Sequence, residues 1–228
     1  MVLVGYEIYV SSVSSSLFAE LSRKVSSPLM LFVIRDSQSS LFLTFAFLPE
    51  RLSTNVFDEV FRYSRESRKV VKVSRYLVKG GMSFIAFKER CEFLDLLYSY
   101  NVQVLMPYII SAGSRLFYVV GEDNNVERFI GNMLSYYGSR NVFLKRLQAS
   151  EVIHRHVKAI TRYFATSPLT KKEFEVLAKA FLEGFLSERR DAKLSDVAKS
   201  LGLSKPATSI MIRKALRKVL GSILSGDY

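Results

Sequence analysis

The hydrophobic period of this 228-residue chain changes once. Up to about residue 148, short runs rich in Val, Ile, Phe and Tyr alternate with runs of helical spacing; beyond it only helical spacing remains. A half-buried strand repeats every two residues and an amphipathic helix every 3.6, so one segment cannot satisfy both patterns. The chain is therefore expected to be α/β (α+β) in its first part and all-α in its second, with the boundary between residues 148 and 168.

The first part repeats its own order. Strand-like runs at 2–10, 29–35, 41–48 and 70–78 are interleaved with two helical runs. One carries Leu17, Phe18, Leu21 and Val25 on a face; the other, at 53–65, carries Phe57, Val60 and Phe61. Asp36-Ser37-Gln38-Ser39-Ser40 suits a hairpin loop. This β-α-β-β-α-β order is the ferredoxin-like arrangement. The same order follows again: strands at 82–87, 102–110, 116–120 and 142–147, helices at 91–100 and 126–137, and a loop at 111–115. A shift of about 72–76 residues superposes Leu29-Met30 on Leu105-Met106, Leu41-Phe42 on Leu116-Phe117, and Ser67-Arg68 on Ser139-Arg140. The expectation is a tandem duplicated ferredoxin-like domain over 1–149, with repeats at about 1–79 and 80–149 and Gly80-Gly81 as the hinge between them. Its aromatic residues read as core. A sensing or assembly role, with a cleft where the repeats meet, is the sharper expectation.

The second part opens with helix-start signals. Thr170-Lys171-Lys172-Glu173 has the form of a capping box, with Leu169 and Phe174 placed as a hydrophobic staple. Phe174, Leu177, Ala178, Phe181 and Phe185 mark one helical face. Ser195 is the expected N-cap of a second, short helix, with Asp196 at its positive end. Gly202 is expected to end it in the left-handed conformation, with Leu203 folding back. Ser204 then caps a third helix, at 204–220, whose first turn tolerates Pro206. A short helix, a Gly-centred turn and a longer helix make helix-turn-helix geometry.

At about 100° per residue the last helix divides into two arcs. Thr208, Ile212, Ala215, Leu216 and Val219 turn inward, while Pro206, Ile210, Arg213, Lys214 and Arg217 lie opposite. The start of a recognition helix meets base edges in the major groove, and flanking cations hold phosphates. Lys205, Ser209, Ile210 and Arg213 are the candidate base contacts. Arg213 would take guanine O6/N7 and Ile210 a thymine methyl. Lys171, Lys172, Lys214, Arg217 and Lys218 are the candidate phosphate contacts.

Residues 169–220 resemble the bacterio-opsin-activator type of helix-turn-helix domain found in archaeal transcription regulators. The resemblance is carried by Leu169-Thr170 with Leu177, by Glu183-Gly184-Phe185, by Leu194-Ser195-Asp196-Val197-Ala198 with Leu201-Gly202-Leu203-Ser204-Lys205, and by Ile212-Arg213-Lys214-Ala215 with Lys218-Val219-Leu220. Pro206 and Ala207 stand where that pattern has small hydroxyl residues. The resemblance implies a transcription regulator with a variable N-terminal part.

Charge agrees with a polyanionic partner. The chain has 33 basic and 21 acidic residues, net +12, with net +7 concentrated in residues 150–228 and +5 spread over 1–149. A basic run of Arg62, Arg65, Arg68, Lys69, Lys72, Arg75 and Lys79 is expected to be a solvated face. The longest apolar runs fall short of the roughly 18–20 residues of a membrane span. No secretory signal opens the sequence, and one cysteine fits a reducing cytoplasm. The join at 151–165 carries Ile153, Val157, Ile160 and Phe164 as a helical stripe, which either packs on the first part or pairs with a second subunit.

Catalytic equipment is sparse. His154 and His156, two apart on a helix, point about 200° from each other and cannot share a metal; both read as surface or linker residues. Cys91 reads as a half-buried core residue. There is no Walker loop, G-x-G-x-x-G, G-x-S-x-G or Cys/His metal spacing. The expectation is a cytoplasmic, dimeric, double-stranded-DNA-binding transcription regulator, not an enzyme, with no cofactor or metal and no membrane partner. A small-molecule effector of unknown kind is possible on this reading. The rivals are an RNA-binding protein using its ferredoxin-like sheet and a scaffold with a helical tail.

Overall fold

Among the described residues, eight strands are found where alternation places them: β1 (Leu3–Val10), β2 (Leu29–Arg35), β3 (Phe42–Leu48), β4 (Val70–Val78), β5 (Gly81–Lys88), β6 (Gln103–Ser111), β7 (Ser114–Glu122) and β8 (Val142–Gln148). Between them lie α1 (Leu17–Arg23), α2 (Thr54–Glu66), α3 (Glu92–Ser99) and α4 (Asp123–Tyr137), followed by α5 (Ala149–Thr166), α6 (Lys171–Leu182), α7 (Leu194–Ser200) and α8 (Lys205–Leu224). The computed structural model describes residues 3–11, 13, 16–35, 41–66, 70–78, 80–189 and 191–224. It divides within α5 into two compact units, 1–160 and 161–228. The expected hairpin loop at 36–40 lies outside the described residues.

The strands make one antiparallel sheet of order β4-β5-β3-β2-β6-β7-β1-β8. Two ferredoxin-like units that each closed on itself would set β1 between β4 and β3, and β5 between β8 and β7. The sheet has the reverse: β5 lies between β4 and β3, and β1 between β7 and β8. The cause is local. Only residues 79 and 80 separate β4 from β5, and Val78 pairs with Gly81; so short a connection makes an antiparallel hairpin and seats β5 beside β4. Gly80, at φ +83°, supplies the turn conformation. At Gly81 a Cβ would run into the Leu48 carbonyl oxygen of β3. Gly80-Gly81 is thus a hairpin turn and not the hinge expected from sequence. The order reads the same from either edge when β1–β4 are exchanged with β5–β8, and β2 and β6 meet at the centre through Leu29 with Ile110 and Leu31 with Tyr108.

One face of the sheet is covered by α1–α4 over a core that includes Ile8, Phe18, Leu31, Leu48, Phe84, Leu97, Phe117, Phe129 and Met133. The other face is covered over one half only. There α5 lies on β1 and β7: Val152 is fully buried against Gly5, where any Cβ would collide with it, and packs with Tyr118 and Leu147. Burying a valine contributes about 1.5–3 kcal/mol. His156 Nε2 sits 3.2 Å from the Met106 carbonyl oxygen. The contacting arc of α5 is therefore Val152, His156 and Ala159. The stripe read from sequence faces away, with Ile153 and Val157 each 56% exposed. His154 is exposed as expected, but His156 is buried beneath the helix.

Over β2, β3, β5 and β4 the same face carries no helix among the described residues of the first unit, though Met30 at its inner end is buried. Register aligns three rows across it: Met30, Phe47, Ser83 and Tyr76; Phe32, Phe45, Ile85 and Ser74; Ile34, Leu43, Phe87 and Lys72. Phe32, Ile34, Phe45 and Tyr76 are 40–51% exposed. The basic run read from sequence does not form one surface. Lys72 lies on this open face, whereas Arg75 turns to the helical side and stacks over Phe57 at 4.9 Å. Arg62 is exposed on α2. Arg68, Lys69, Lys79 and the side chain of Arg65 lie outside the described residues.

Candidate nucleic-acid interface

The three helices of the second unit are held by their ends. The Glu173 amide donates to Thr170 Oγ1 at 3.2 Å and the Thr170 amide donates to Glu173 Oε2 at 2.9 Å, completing the capping box. Helix α6 stops at Gly184, φ +80°, with the Gly184 amide donating to Phe181 O and the Phe185 amide to Ala180 O. Helix α7 stops in the same way at Gly202, φ +63°, with bonds to Lys199 O and from Leu203 to Ala198 O. Leu203 folds back onto the core. The Ser204 hydroxyl accepts the Ala207 amide at 3.3 Å and so caps α8.

Two local expectations are corrected. Ser195 is not the N-cap of α7; that position is Lys193, whose amide donates to Asp196 Oδ2 at 3.0 Å, so the helix begins earlier than expected. The inward face of α6 is also different. Glu173, Val176 and Ala180 are buried, and Phe181 is 70% exposed. Helix α6 is apolar around most of its circumference, so spacing alone offers two arcs; the one buried carries Val176 and Ala180. The core of this unit is Val176, Ala180, Val197 and Ile212, with Leu194, Leu201, Leu203 and Leu216 against it.

On α8, Thr208, Ile212 and Ala215 are buried, fixing its rotation. Lys205, Ile210, Arg213, Lys214 and Arg217 are exposed, and Ser209 is half-buried at the edge. From α6, Lys171 and Lys172 are exposed. Helix α8 contains five cations and no Asp or Glu.

Lys218 and Lys214 are the exceptions to a free cationic surface. Lys218 Nζ donates to Glu173 Oε2 at 2.6 Å, and Lys214 Nζ lies 3.4 Å from Oε1. Burial alone would raise the Glu173 carboxyl; the bonds from Lys218 and the Thr170 amide outweigh it and hold the group at about 2. Sequence reasoning missed this pairing because 45 residues separate the partners and no local pattern joins them.

Among the described residues, no three His, Cys, Asp or Glu side chains could hold a metal ion, and no helix is long and apolar enough to cross a membrane. Residues 169–221 match the family model of an HTH DNA binding domain, of the bacterio-opsin-activator type that the motifs of this segment resemble. No curated protein and no solved structure matches the chain.

Proposed function

We propose that this chain is a DNA-binding transcription regulator whose α8 enters the major groove. The observation that carries the reading is the two-sided character of α8: an exposed arc of cations with no carboxylate, opposite an arc locked into a helix-turn-helix core. Lys205, Ser209, Ile210 and Arg213, on the N-terminal half of the helix, would meet base edges. Lys171, Lys172 and Arg217 would hold phosphates, as would Lys214, whose side chain is 64% exposed and exchanges its 3.4 Å pairing with Glu173 for the phosphate, each contact steepening the salt dependence of binding. Lys218, bound to Glu173, adds positive field and braces the helix. We read residues 1–149 as a duplicated ferredoxin-like domain with exchanged first strands, serving assembly and sensing in a cytoplasmic protein that is not an enzyme.

We further read the protein as a homodimer. On one face of the sheet, α5 fills half of a helical layer and nothing among the described residues of the first unit fills the other half. The outer side of α5 is itself apolar at Ile153 and Val157. A two-fold axis lets each copy seat that side of α5 on the open half of its partner's sheet, so both vacancies close at once. Paired readers would then match two half-sites about one DNA turn apart.

A second reading has one observation in its favour. Phe32, Phe45 and Tyr76 are exposed on the sheet, where bases of single-stranded RNA could stack. Yet the twelve positions of that face include one charged residue, Lys72, and strand binding needs a cationic groove beside the rings. The face therefore suits a protein partner better. Selection of bound sequences from random duplex DNA by the purified protein tests the main reading. An enriched motif with two half-sites supports it. No enrichment, or displacement of duplex by single-stranded RNA, contradicts it.

A further inference from the structure

Two cations lie inside the first unit with no counter-ion among the described residues. Lys88, the last residue of β5, is 8% exposed, and Arg115, on β7, is 4% exposed. Among the described residues neither forms an ion pair. The Lys88 ammonium has the Phe18 ring 4.8 Å away. Arg115 has one polar partner, the Tyr137 hydroxyl, to which Nη1 donates at 3.3 Å; its Nε is buried and unpartnered. Cys91 stands at the start of α3, three residues after Lys88 and two before Phe93, near enough to act electrostatically on Lys88, Tyr108 and Arg115.

Such a cluster is costly, because desolvating an ion costs more, even after relaxation, than a cation–π contact returns. Burial accordingly depresses the Lys88 ammonium below its ordinary range, with Arg115 pushing the same way. Phe93 covers the Arg115 guanidinium at 4.2 Å and Tyr108 lies 5.4 Å from it, so the donors that remain are those in the guanidinium plane. A planar edge with a free N–H matches the two oxygens of a carboxylate, and an ammonium nearby supplies a further donor. The surrounding rings suit an apolar or aromatic body.

We propose that Lys88 and Arg115, walled by Phe18, Phe93 and Tyr108 and bordered by Cys91, form an internal binding site for a small organic carboxylate. The site deepens the sensing role read above for the first unit and rests on no residue of the DNA reader. It draws Lys88 from β5 and Arg115 from β7, strands on opposite sides of the central β2–β6 pair. An occupant that neutralises both would stabilise their joint placement.

Cys91, the sole cysteine, provides the test in the full-length native protein. Its alkylation by iodoacetamide is followed in sodium benzoate, in inorganic phosphate and in sodium chloride at equal ionic strength. Benzoate is expected to slow the reaction, by about tenfold at ten times its dissociation constant, while chloride does not. Lys88→Met is expected to raise the thermal midpoint in the absence of benzoate and to erase benzoate protection; Arg115→Met checks the same two readouts should the first variant fold poorly. The proposal is overturned if benzoate protects no better than chloride, if phosphate alone protects, or if either folded variant keeps full benzoate protection. No DNA enters the measurement, so its failure and that of the DNA reading are separable.

Discussion

Lys218 of α8 donates to the buried carboxylate of Glu173 in the first turn of α6 at 2.6 Å, so the last third of α8 is anchored to α6. The same carboxylate closes the capping box of α6. Glu173→Gln keeps the shape and loses the charge. It is expected to cost about 2 kcal/mol, the range of hydrogen bonds to charged groups, read as a lower thermal midpoint of the helical circular-dichroism signal. Lys218→Met, which leaves the buried carboxylate with the Thr170 amide and the longer Lys214 contact, is expected to cost a similar amount.

The pH dependence follows with a definite sign. The folded Glu173 carboxyl is held at about 2, below its ordinary 4.5. A depressed acid stabilises the fold above its unfolded value and loses that contribution as pH falls toward the folded one. Thermal midpoints of the full chain should therefore drop between about pH 4.5 and pH 2, and Glu173→Gln should flatten that part of the profile. An unchanged profile in the variant would remove Glu173 from the account.

Gly202 occupies φ +63° with open space around its Cβ position, so a side chain there meets backbone strain and no clash. Gly202→Ala is expected to cost about 1–2 kcal/mol and Gly202→Asn less, since Asn tolerates the left-handed region. Paired thermal melts check the order. Equal losses in the two variants would point to something other than backbone conformation.

At the proposed two-fold interface, Val157→Glu on α5 and Phe45→Glu on the open sheet face should act alike. Each is expected to weaken the dimer by at least tenfold, shifting light-scattering mass toward the monomer at tens of micromolar, as loss of a buried interface anchor does. A mass that neither variant moves contradicts this interface. If Phe45→Glu instead abolishes RNA binding with mass unchanged, the rival reading of the sheet is favoured.

The sequence spelled out elements more clearly than their partners. All eight strands and the order of helices were legible because alternation and helical spacing are local properties. Strand order was not: exchange of β1 and β5 depends on reading Gly80-Gly81 as a hairpin turn, a signal present in the dipeptide but assigned to a hinge. The caps at Thr170, Gly202 and Ser204 were legible from residue type and spacing. The arc of α6 was not, because Phe174, Leu177 and Phe181 satisfy the helical period as well as Val176 and Ala180 do. Lys88 and Arg115 gave no sign at all, since a buried cation and a surface cation have the same letter.

The readers of sequence and of backbone are expected to separate in binding. Arg213→Ala should relax preference at one base pair, costing about 1–3 kcal/mol on the preferred site. Lys172→Ala should weaken all duplexes alike and reduce the slope of log affinity against log salt by about 0.9. Two variants that lose only general affinity would refute the assignment of Arg213 to a base edge.

The most direct measurement is fluorescence-anisotropy titration of the full-length protein against its selected duplex across a salt series, repeated with Arg213→Ala and with a single-stranded RNA competitor. The account predicts affinity falling steeply with salt, loss of site preference in the variant, and no displacement by RNA. Salt-independent binding, or a variant that discriminates sites as well as the native protein, would contradict it.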